Sequence, residues 1–134
     1  MKKKLLILIT AIMLVLAGCG AKPTLAQWVD GDDITSVETE LNSMYAGTGI
    51  RAEFSAEGSD VLVFSCIYEQ QLDFSGSSQE EINTTFSQQL NVLSTAMTPI
   101  FDACKSETGI DLSCIRIKFV NADGNVIYSQ DFTK

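Results

Sequence analysis

The sequence predicts an α+β domain in which the order helix, strand, strand occurs twice, giving a four-stranded antiparallel sheet with two helices packed on one face. Three observations point there. Two stretches alternate apolar and polar residues on either side of a turn, Ile50 to Tyr68 and Cys114 to Phe132. Two others place apolar residues every three or four positions, the period of one helical face. The joins between them repeat, as Thr48-Gly49-Ile50 and Thr108-Gly109-Ile110.

In chain order, Asp30, Asp32 and Asp33 precede a helix marked by Ile34, Val37, Leu41, Met44 and Tyr45. Carboxylates there favour the positive end of the helix dipole and can cap free amides. Gly47 or Gly49 ends the helix, because glycine accepts the left-handed conformation common just past a helix. Ile50 to Glu57 reads as a half-buried strand, Glu57-Gly58-Ser59-Asp60 as a turn and Val61 to Tyr68 as the returning strand. Ser77 or Ser78 ahead of Glu80 and Glu81 has the spacing of a capping box. A long helix is expected after it along Ile82, Phe86, Leu90, Leu93, Met97, Phe101 and Cys104. Pro99 predicts a kink near residues 95 to 99, or two helices meeting there, since proline lacks an amide proton and crowds the preceding turn. Asn121-Ala122-Asp123-Gly124-Asn125 is a turn signal between the last two strands.

The first nineteen residues are of a different kind. Lys2, Lys3 and Lys4 precede an apolar run from Leu5 to Leu16, twelve residues long and short of the roughly twenty that span a bilayer. A basic start, a short apolar core and small residues at its end are the parts of a secretory signal. Leu16-Ala17-Gly18-Cys19 resembles the bacterial lipobox. That resemblance implies cleavage after Gly18, a diacylglyceryl thioether on Cys19 and fatty-acid (palmitate) attachment. It places the mature chain on the extracytoplasmic face of the cell membrane, anchored by lipid. Residues 1–18 are then a removed signal peptide, 19–27 a lipidated tether and 28–134 a single domain. Trp28, beside the tether, reads as a staple between helix start and core, with ligand stacking as the alternative.

Nine cations stand against seventeen acids, a net charge of −8, and loss of the leader's lysines takes this to −11. Such a balance argues against nucleic acid, which requires cations to neutralise phosphates. The chain has no histidine, so Ser-His and Cys-His nucleophilic pairs are excluded. The acids are too many for any pair to signal a carboxylate hydrolase. Asp30-Gly31-Asp32-Asp33 and Asn121 to Asn125 cluster oxygen ligands, but neither follows the alternating calcium loop. No metal and no cofactor is expected.

Past Cys19, three cysteines remain. Cys66 and Cys104 are the candidate disulfide pair, because both fall on core-facing patterns; the alternative is that all three are reduced and packed as small hydrophobes. Strand alternation turns Val61, Val63 and Ile67 outward with Arg116 and Lys118. Apolar residues beside two cations make a candidate partner surface on an acidic protein. The alternatives are a helix or the 69–78 loop lying over this face, or cross-strand charge pairs solvating it.

Lipobox, tether, Thr24-Leu25-Ala26-Gln27-Trp28-Val29, and a final hairpin with Phe119-Val120-Asn121-Ala122-Asp123-Gly124 and Asp131-Phe132 together resemble a family of small Gram-positive lipoproteins carrying a domain of unknown function. The resemblance implies a place and a fold and supplies no catalytic residues. The expected function is a non-enzymatic cell-surface lipoprotein that binds an envelope protein or peptide through the open sheet face or its edge. The rivals are an extracellular hydrolase built on carboxylates, which needs a deep pocket of converging acids, and a structural or solute-binding lipoprotein with a cavity between helices and sheet.

Overall fold

A computed structural model describes residues 22–92 and 94–134. Cys19, the leader and Leu93 lie outside the described residues. Among those described there are four helices, α1 (Leu25–Val29), α2 (Asp32–Met44), α3 (Gln79–Asn91) and α4 (Ser94–Thr108). The strands are β1 (Ile50–Glu57), β2 (Val61–Tyr68), β3 (Cys114–Val120) and β4 (Val126–Phe132), in the order β1-β2-β3-β4. The class is α+β, and both hairpins are where alternation puts them.

The sheet is mixed rather than wholly antiparallel: β2 and β3 run parallel, with Leu62 beside Ile115 and Cys66 beside Phe119. Their ends show why. The Ser113 amide donates to the Asp60 carbonyl at 2.9 Å, which puts the start of β3 beside the start of β2. At the far end the Leu72 amide donates to Oδ1 of Asn121 at 2.8 Å. The connection from Glu69 to Ser113 therefore traverses the sheet once, and a single traverse between neighbouring strands makes them parallel.

α3 ends at Asn91 with Val92 as its C-cap, and Pro99 sits within α4. Two helices do meet, but one turn upstream of the expected site. Pro99 is the sixth residue of α4, where its missing amide proton deletes the bond to the Thr95 carbonyl. Ser78 and Glu81 form the capping box that starts α3.

Residues 25–27, expected within the tether, begin the domain instead. Thr24 and Gln27 make a reciprocal capping box on α1, and Leu25 is 1% exposed. Burying a leucine side chain contributes roughly 1.5–3 kcal/mol, enough to hold this short helix on the core. Trp28 is buried in the same cluster, with its indole N–H unpartnered among the described residues. Asp32 and Asp33 lie in the first turn of α2, but the N-cap is Gly31 and no side chain caps it. A Cβ at Gly31 would come within 3.2 Å of the Trp28 carbonyl oxygen, so a larger residue there would require the end of α1 to shift by a few tenths of an ångström.

The helices cover the sheet face formed by Ala52, Phe54, Leu62, Phe64, Ile115, Ile117 and Phe132, and the core lies between. α3 docks beside β4 through aromatic contacts, with Phe86 against Phe119 at 4.6 Å and against Tyr128 at 5.8 Å between centroids. No helix among the described residues is long and apolar enough to cross a membrane.

Candidate binding surface

The opposite face carries no helix from the core cluster. Alternation and register bring together Arg51, Glu53, Ser55 and Glu57 from β1 and Val61, Val63, Ser65 and Ile67 from β2. Cys114, Arg116, Lys118 and Val120 follow from β3, then Ser129 and Asp131 from β4. The five residues singled out in the sequence, Val61, Val63, Ile67, Arg116 and Lys118, do share this face.

They do not form an exposed apolar patch with free cations. Arg116 donates to Asp131 on the neighbouring strand at 2.7 and 3.0 Å, and to Glu57 on β1 at 2.6 Å. Lys118 bonds the other oxygen of Glu57. Glu57 and Arg116 stand two strands apart, so their contact crosses over β2. Val63, which lies between Ser55 and Arg116 in the register, is only 1% exposed beneath this roof. The aliphatic stems of long charged side chains shield the valine while their heads stay wet. Cross-strand charge pairing thus covers the centre of the face, and Ser55, Ser65, Ile67 and Val120 remain partly exposed around it.

The network has electrostatic consequences. The hydrogen bond from Lys118, and then the charges of Lys118 and Arg116, hold the Glu57 carboxyl below its ordinary range. The hydrogen bond from Arg116 does the same for Asp131. Cys114, at the end of the same face, is pushed up by burial first and by the Asp131 charge second.

The two edges of the sheet differ. At β1 the Asn42 side chain of α2 both donates to the Ala52 carbonyl, at 3.0 Å, and accepts the Ala52 amide proton, at 2.8 Å. One turn earlier Glu38 accepts the Phe54 amide proton at 3.0 Å. The helix thus supplies side-chain partners where a neighbouring strand would have paired, which is one way proteins close an edge. At β4 no side chain or loop backbone of the described residues bonds the outer edge. Sequence reasoning missed this contrast, although the helix period already placed Glu38 and Asn42 on one side of α2.

Cys66, Cys104 and Cys114 are free thiols, so the candidate pair of Cys66 and Cys104 is not bridged. The register sets Cys66 beside Phe119, near the end of β3, whereas Cys104 lies on the helix turn that leads through Thr108 to the start of that strand. Burial pushes the Cys66 thiol up to about 12 and raises that of Cys104. A shallow hollow lined by Asp32, Thr35, Ser36, Thr39 and Glu40 opens to solvent on the outer side of α2. Asn121 is buried and ties the 69–78 segment to the sheet, donating to the Leu72 carbonyl at 2.9 Å and accepting the Leu72 amide proton.

Helices on one face of a mixed four-stranded sheet, with a charge-roofed outer face and one closed edge, define a small α+β domain built around an accessible sheet. Residues 25–132 match the family model described as Domain of unknown function (DUF4854), and the chain belongs to that family. No curated protein and no solved structure matches the chain.

Proposed function

We propose that the chain is a lipid-anchored protein of the extracytoplasmic membrane face, of the small Gram-positive lipoprotein type, whose domain binds a protein or peptide through its sheet without catalysis. The anchor is Cys19, in the lipobox-like Leu16-Ala17-Gly18-Cys19. The observation that carries the binding reading is that every helix of the core cluster packs on one sheet face, leaving the other without a helix among the described residues. Around its paired charges this face offers Ser55, Ser65, Ile67 and Val120, a mixed polar and apolar rim of the kind protein interfaces use. The non-enzymatic reading is supported by the chemistry left over. There is no histidine, and burial raises the pKa of the Cys66 and Cys104 thiols, which disfavours the nucleophilic thiolate.

Living cells carrying the full chain with a photo-cross-linking residue at Ser65 or Ile67, and in a control at Glu40 on α2, test the reading. Recurrent capture of one extracytoplasmic protein from the sheet positions and not from Glu40 supports it. Capture from neither the sheet face nor its edges overturns it. Labelling with a clickable fatty acid, lost in Cys19→Ser, tests the anchor separately.

A further inference from the structure

We infer that the outer edge of β4 is a strand-acceptor site, where an extended, apolar and cationic segment of another protein adds as a fifth strand. The inference rests on the reading of the sheet as the binding element and assigns that element a position and a partner chemistry. A terminal strand presents unpaired amide and carbonyl groups that template a further strand unless something blocks them. β1 is blocked by Asn42 and Glu38. β4 carries no such block among the described residues.

Exposed apolar side chains gather beside β4. Among the described residues the exposed large hydrophobics are Val92, at 63%, and Val126, at 52%. Val126 opens β4, and Val92 follows Asn91, whose Oδ1 accepts a proton from Gln130 of β4 at 2.9 Å. Two apolar side chains thus border one open edge, one at its start and one beside its later half. An added strand with apolar residues at alternate positions would cover both while its backbone bonds to β4.

Charge selects the occupant. The chain carries a net −8, and every cation among the described residues except Lys22 is tied to a carboxylate. Pairing with a second copy would bring two such acidic surfaces together, whereas a cationic segment is attracted and oriented.

The test uses the full chain in living cells, with the photo-cross-linking residue at Val126 or Ser129 and, for comparison, at Ile67. The edge account expects both edge positions to attach to one partner segment, at points about three residues apart, as strand register demands. It also expects Val126→Lys to cut capture from Ser129 roughly tenfold and Val126→Glu to cut it less. Both substitutions fall at an exposed position, and an unchanged circular dichroism spectrum checks the fold. Capture from Ile67 alone overturns the edge site and leaves the sheet reading standing. Capture from none of the three overturns both, and attachment to a second copy of this chain overturns the partner assignment.

Discussion

Asn42 and Ala52 are joined by two hydrogen bonds, with the side-chain amide of one standing where a neighbouring strand's peptide group would stand for the other, at 3.0 and 2.8 Å. The contact fixes α2 to β1 and closes that edge at its centre. Asn42→Ala leaves a part-buried amide and carbonyl without partners, at a cost of about 1–3 kcal/mol. Urea unfolding should show a lowered midpoint with unchanged slope, and self-association should increase as the edge opens. Asn42→Asp restores only the acceptor and should fall between the two.

A second polar anchor is Asn121, which bonds both backbone groups of Leu72 and accepts the Ala122 amide proton at 3.0 Å. Asn121→Ala should destabilise by a similar 1–3 kcal/mol or so. It should also speed proteolysis within residues 69–78, since this buried tie holds that segment against the sheet. Cleavage at the wild-type rate would show that other contacts hold it.

Acid should loosen the outer face. Glu57 and Asp131 are both held below the ordinary carboxylate range by their cationic partners. A carboxylate with a lowered folded pKa contributes stability above its unfolded value, near 4, and loses that contribution as pH falls through its folded value. The urea midpoint should therefore decline below about pH 4, and Glu57→Gln should flatten that decline. Both side chains are more than a third exposed, at 40% and 43%, so solvent screens the effect and it should be modest. A variant with the wild-type acid limb would contradict the network's role.

The thiols should be slow. With its pKa pushed up to about 12, Cys66 presents little thiolate at pH 8. Alkylation of Cys66 in the native chain, followed by peptide mass, should lag that in the unfolded chain by roughly a thousandfold. Intact mass should not change on reduction. A gain of two hydrogens on reduction would instead establish a bridge among Cys66, Cys104 and Cys114.

Much of this fold is written in local pattern. The alternation at Ile50 to Tyr68 and Cys114 to Phe132 encodes both hairpins, because a half-buried strand must alternate. Ser78 and Glu81 encode the start of α3 through their own hydrogen bonds. The parallel pairing of β2 and β3 is not local, yet it was deducible, since one helical leg between neighbouring strands returns the chain to its starting end. α1 was hidden by its shortness, although Thr24 and Gln27 already had the spacing of a capping box. The candidate surface was legible as a face and not as an environment. Alternation turns Val63 outward, but only the reach of Glu57 over β2 to Arg116 and Lys118 buries it.

The central claim is that this sheet has one closed edge and one open edge suited to receiving a strand, and native-state hydrogen exchange tests it most directly. The account predicts slow exchange at the Ala52 and Phe54 amides, which Asn42 and Glu38 satisfy, and fast exchange at the outward-facing amides of β4, without any partner present. Equal protection at the two edges, or faster exchange at Ala52 and Phe54 than along β4, would contradict it.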